Sequence, residues 1–150
     1  MKYDYIGAPW LVKEWFVTEH GFPRKLLRKL VVGNGGFSLR SKKLTLLCAA
    51  LSKQKVFKRY HPEDNVIGVH YRDFLEKKGI HYAPVKIAKQ FSFEAEDDEH
   101  KEWNGQFGFH GFRWTNISKW LKKNPQYKLD IPKNEMNEVK PVHRPFSRQR

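Results

Sequence analysis

The sequence predicts an α/β fold, and three stretches carry that reading. Tyr3 to Ile6 alternates side chains in the manner of a strand. Residues 42–58 set Leu44, Leu47, Ala50 and Leu51 on one helical face, behind Ser41, a residue type that caps helix starts. Between them runs Gly33-Asn34-Gly35-Gly36-Phe37-Ser38-Leu39-Arg40, three glycines in four positions ahead of a short strand. Such a backbone takes positive φ or passes very close to another group.

In chain order, the first strand runs into Gly7-Ala8-Pro9, which reads as a turn at the edge of a site. Gly21-Phe22-Pro23 breaks the next stretch, and residues 24–30 form a basic link into Val31-Val32 and the glycine loop. His61-Pro62 stops the helix that Ser41 begins. Glu63-Asp64 then stands at the start of a second helix, from Asp64 to about Lys78, closed by Gly79 as a glycine cap. Tyr82-Ala83-Pro84 and Ile87 to Glu94 read as a pair of strands, followed by the aromatic and glycine segment from Phe107 to Trp114. A short helix at 117–123 leads into Pro125, Pro132, Pro141 and Pro145 among lysines and arginines. The expected division is a domain over residues 1–115 and a basic tail over 116–150, with no internal repeat.

At 150 residues the chain fits one domain with its own core. It contains no apolar run near the roughly 20 residues that span a bilayer, and its start lacks a signal-peptide core, so a soluble, cytoplasmic protein is expected. Asn116-Ile117-Ser118 is accordingly read as a chance glycosylation sequon. The single cysteine, Cys48, lies among Leu46, Leu47, Ala49 and Ala50 and reads as a small buried hydrophobe. The net charge of +13 is uneven: residues 1–60 hold 13 basic against 3 acidic side chains, residues 61–120 hold 8 against 10, and residues 121–150 hold 8 against 3. A basic body attracts nucleic acid, anionic headgroups or the diphosphate of a sugar nucleotide, and charge alone does not choose among them.

The ordered series Tyr3-Asp4-Tyr5-Ile6-Gly7-Ala8-Pro9-Trp10, the glycine loop, Pro62-Glu63-Asp64 and Gly108-Phe109-His110-Gly111 resembles a largely uncharacterised family of glycosyltransferase-like proteins, over about residues 3–114. The resemblance implies the mixed-sheet C-terminal portion of a GT-A, Rossmann-like nucleotide-sugar transferase. The nucleotide-binding half that would precede it, with its Asp-x-Asp metal motif, is not in the chain. The acidic run from Glu94 to Glu99 is no substitute, since it follows the acidic pair and lacks an apolar strand leading into it.

By that resemblance Asp64 is the catalytic base and Glu63 its neighbour, which binds acceptor or donor hydroxyls. His110 is a ligand of Mn²⁺ or Mg²⁺. Gly33, Asn34, Gly35 and Gly36 approach the donor sugar, Arg40 faces the phosphates, and Trp10 lines the substrate site. The implied partners are a nucleotide-sugar donor and a glycan or other hydroxyl acceptor. Taken alone, Glu63-Asp64 reads first as a helix N-terminus that suits carboxylates, and His110 as a packed histidine. Trp10, Trp103 and Trp114 could stack on sugar rings, although core packing is the commoner use of each. The rival reading is a basic nucleic-acid-binding module, with lysines and arginines interleaved among aromatic residues. No helix-turn-helix, zinc-finger or RNP pattern accompanies it.

Overall fold

A computed structural model describes residues 2–58, 62–94, 105–110 and 121–127. It is a mixed α/β protein with small sheets. β1 (Tyr5–Gly7) and β2 (Pro9–Leu11) form one run broken only by Ala8. β3 (Leu30–Val32) and β4 (Ser38–Arg40) return antiparallel beside it. Gly7 pairs with Ser38 and Pro9 with Val32, so Ala8 alone stands opposite residues 33–37. The glycine loop is therefore a wide excursion from the middle of a two-stranded ribbon. Gly7-Ala8-Pro9 is not a turn: it is the point where the strand continues past the excursion, and the Ala8 carbonyl accepts the N–H groups of both Gly33 (3.3 Å) and Asn34 (3.2 Å).

Adjacent Val31 and Val32 point to opposite faces of the ribbon, and each enters a core of its own. Val32 joins Tyr5, Ile6, Leu44, Leu51, Leu75 and Ile80, whereas Val31 joins Trp10, Val12, Phe16, Phe22 and Val69. The short helix α1 (Glu14–Thr18) supplies Phe16 to the second core, and a 3₁₀ turn (Arg24–Leu26) lies in the basic link before β3.

Ser41 begins α2 (Lys42–Lys53) as expected, its hydroxyl accepting the Leu44 N–H at 3.1 Å. The helix stops five residues short of Lys58. Lys55 takes φ 55°, the Val56 N–H reaches back to the Leu51 carbonyl, and the Lys55 N–H reaches Ser52. This is a Schellman ending with lysine where glycine is usual. The second helix ends the same way with its expected glycine: Gly79 has φ 79°, and the Ile80 N–H bonds to the Leu75 carbonyl.

That second helix is interrupted. α3 (Glu63–Asn65) passes into a π turn (Val66–His70) and on to α4 (Arg72–Lys77). The π turn carries Gly68, at which a Cβ would stand 2.9 Å from the Gly33 Cα, so two backbones touch where the glycine loop leaves β3. A π turn leaves ladder carbonyls to find other donors, and the Tyr82 hydroxyl serves Ile67 at 2.7 Å.

Ile87 to Phe91 is not a strand. Pro84 opens α5 (Val85–Phe91), because Val85, Ala88 and Phe91 share one helical face and proline's fixed φ suits a helix start. Only Ser92–Phe93 is extended, as β5, paired in parallel with β6 (Gly108–Phe109). Residues 121–123 are helical, within the helix expected at 117–123. Trp103, Gly111, Trp114, the 115/116 boundary and the prolines beyond Pro125 lie outside the described residues. Among the described residues, no helix is long and apolar enough to cross a membrane.

Candidate active site

The glycine loop is built as a hub. Tyr5, fully buried, places its hydroxyl 2.7 Å from the Gly33 carbonyl and 2.8 Å from that of Asn34, which pins the loop from beneath. Burial pushes the Tyr5 phenol well above its ordinary pKa, so it stays a donor. Asn34 is 1% exposed and ties the loop inward: its Oδ1 accepts the Phe37 N–H at 2.9 Å, and its Nδ2 donates to Glu94.

Two glycines of the loop are required by close approach. None of Gly33, Gly35 and Gly36 has positive φ, so of the two alternatives that the sequence leaves open, proximity is the one realised. At Gly35 a Cβ would meet Glu63 Oε1 at 2.6 Å and Asp64 Oδ2 at 3.1 Å; at Gly36 it would strike the Cδ2 and Nε2 edge of His110. The acidic pair and the histidine thus press on neighbouring loop residues, although 46 positions of sequence separate Asp64 from His110.

The Asp64 carboxylate is set by backbone alone. Its Oδ2 accepts the Gly35 N–H at 3.1 Å and its Oδ1 the N–H of Asn65 at 2.8 Å, and among the described residues no basic side chain pairs with it. Burial raises its pKa, the charges of Glu63 and Glu94 raise it further, and the two N–H groups only partly offset this. Glu63 behaves oppositely. Arg40 Nη2 donates to its Oε1 at 2.9 Å and holds its pKa below the usual carboxylate range. Buried Asn65 extends the acidic pair inward, its Nδ2 3.2 Å from His20 Nδ1.

On the other side of the loop stands Glu94, its side chain 9% exposed. Its Oε2 receives the Trp10 indole N–H at 2.7 Å and the Asn34 amide, and its Oε1 lies 3.2 Å from His110 Nδ1. His110 Nδ1 is also 2.8 Å from Asn34 Nδ2. One nitrogen cannot serve both at once: Nδ1 accepts from Asn34 in the neutral Nε2–H tautomer, and donates to Glu94 in the Nδ1–H tautomer or when the ring is protonated. Glu94 raises the His110 pKa through this bond, against the opposing effect of burial, and so favours the second state.

The residues named from sequence come together, with two qualifications. Trp10 is 4% exposed and stacks on Phe16 at 5.9 Å, so it reaches the site through its N–H and offers no open face for a sugar ring. Among the described residues no three His, Cys, Asp or Glu side chains are grouped to hold a divalent cation. His110 Nδ1 is already committed, and the Nε2 edge lies on Gly36.

Sequence reasoning passed over Glu94 and Tyr5. Glu94 was hidden at the head of an acidic run weighed only as a substitute for the Asp-x-Asp motif. The available signal was its position, immediately after the buried pair Ser92–Phe93. A carboxylate leaving a buried strand needs partners.

The chain belongs to the family described as a protein of unknown function (DUF5672), whose model matches residues 1–110 and so spans every site residue named above. No curated protein and no solved structure matches it.

Proposed function

We propose that the chain is glycosyltransferase-like and that its site moves a sugar from a nucleotide-sugar donor to a hydroxyl acceptor, with Asp64 as the base. The finer fold reading, the C-terminal portion of a GT-A transferase, belongs to the same proposal. What supports it is the state of Asp64. The carboxylate is partly desolvated, its proton affinity is raised, no cation among the described residues neutralises it, and two backbone N–H groups aim it at the glycine loop. Those are the properties a general base needs: a fixed direction and a pKa drawn towards working pH.

In this mechanism the acceptor O–H gives its proton to Asp64 as the acceptor oxygen bonds to the anomeric carbon. The bond from that carbon to the donor's phosphate oxygen breaks, and its electron pair leaves on the nucleoside diphosphate. The loop backbone at Gly35 and Gly36 lets the acidic pair and His110 gather on one loop, and Arg40, while orienting Glu63, supplies positive charge near the leaving phosphates. No step is routed through a metal.

The test is transfer from uridine and guanosine diphosphate sugars, read as transferred sugar and released diphosphate. Where transfer occurs, Asp64→Asn should lower turnover by roughly 10² or more with donor binding little changed. Full activity in that variant removes Asp64 from the chemistry. Salt-sensitive oligonucleotide binding without any transfer would favour the nucleic-acid reading instead.

A further inference from the structure

Beside the site three phenylalanines from three elements meet in one stack. Phe37, from the glycine loop, lies 5.4 Å from Phe91 at the end of α5, at 26° between ring planes. Phe91 lies 5.8 Å from Phe107 at 24°, and Phe37 lies 6.1 Å from Phe107. Gly108 makes the stack possible, since a Cβ there would collide with the Phe37 ring. The outer ring, Phe107, is 79% exposed although two aromatic neighbours adjoin it. Single exposed apolar residues need no explanation, but an exposed ring stacked on two half-buried ones makes a platform on which a ligand can lie.

We propose that Phe37, Phe91 and Phe107 form the acceptor subsite, and that the acceptor is an oligosaccharide whose pyranose C–H face lies on the Phe107 ring. The location rests on the transferase reading. Phe37 directly follows Gly36, and Gly35 of the same loop holds Asp64, so the stack and the base stand on one loop. The choice of occupant rests on the chemistry of the surface. Phenyl rings offer a flat, electron-rich face and no polar handle. Hydrogen bonding must come from the rim, where exposed Gln90 of α5 adjoins the stack, its carbonyl accepting the Phe107 N–H at 3.4 Å. An apolar face with a polar edge is what a pyranose ring presents. An alkyl chain would leave the rim unused.

The experiment needs no donor and no turnover, so it fails or succeeds independently of the transferase reading. The full chain is examined by saturation-transfer NMR with cellotriose, maltotriose and chitotriose in turn. At least one trisaccharide should receive saturation from phenylalanine ring protons, strongest on one C–H face of one residue. Phe107→Ala should weaken that binding about tenfold, and Phe107→Tyr should retain it. Exposure of the ring makes both variants compatible with folding. No transfer from the rings to any of the three sugars overturns the proposal, as does binding that Phe107→Ala leaves unchanged. Occupation of the stack by hexathymidylate with no sugar bound overturns it in favour of a nucleic acid.

Discussion

Asp64 and Glu94 are carboxylates on two sides of the same loop, and the protein treats them in opposite ways. Glu94 is surrounded by side-chain donors: an indole, an amide and an imidazole converge on its two oxygens. Asp64 is given two backbone N–H groups and two like charges, with no counter-ion among the described residues. A buried carboxylate that is fully satisfied holds a fold together. One that is aimed but not neutralised is kept ready to take a proton. The difference separates the structural half of the site from the half proposed to react.

Removing each group should expose the contrast, beginning with the largest effect. Glu94→Ala leaves the Trp10 indole, the Asn34 amide and the His110 ring without their shared acceptor, and should cost about 2–4 kcal/mol in denaturant unfolding. Glu94→Gln should cost less, because an amide oxygen can still receive Trp10 and Asn34. A neutral result for Glu94→Ala would mean that Glu94 is not the anchor described. Gly36→Ala comes next. Its methyl would push the His110 ring off Glu94 and Asn34, at about 1–2 kcal/mol and with loss of the native His110 ring signals in NMR. An unmoved ring would contradict the close packing.

How far the sequence disclosed this arrangement depended on the residue type at each turning point. The helix closed by Gly79 was legible because glycine at a left-handed cap is a general signal, whereas the same Schellman ending at Lys55 carried no such mark. The π turn was invisible for a similar reason: Val66 to His70 has an ordinary helical pattern, and the close approach of Gly68 to Gly33 that accompanies the turn is a tertiary contact. The glycine loop announced a close approach without naming its neighbours. Asp64, Arg40 and His110 were named through family resemblance, whereas Glu94 and the phenylalanine stack needed the fold. Which acidic residue of a run turns inward, and which aromatic residue stays outside, is decided by packing that no local pattern records.

The smaller effects test the reactive half. Asp64→Asn relieves desolvation and repulsion from Glu63 and Glu94, but the amide nitrogen must face one of the two backbone N–H groups and loses that bond. These effects oppose each other and, after screening by solvent at this partly exposed position, should leave stability within about 1 kcal/mol of the parent. A loss above about 2 kcal/mol would make Asp64 a structural residue like Glu94.

The pH dependence of that pair of proteins isolates the carboxylate. The folded pKa of Asp64 is raised above its ordinary value of 3.8, so the folded state holds the proton more tightly than the unfolded chain. Its ionised form therefore costs stability: the cost is absent below the unfolded pKa, grows as pH rises through the folded one and is then constant. The parent minus Asp64→Asn difference in unfolding free energy should accordingly fall across that acidic window and stay flat up to neutrality. At the acid end the protonated side chain resembles the amide in charge and shape, so the two proteins should approach each other in stability. All other titrating groups cancel in the difference except those coupled to Asp64, chiefly Glu63 and Glu94. A difference that rises with pH would mean that Asp64 is stabilised as an anion, and it would place this carboxylate beside Glu94 rather than opposite it.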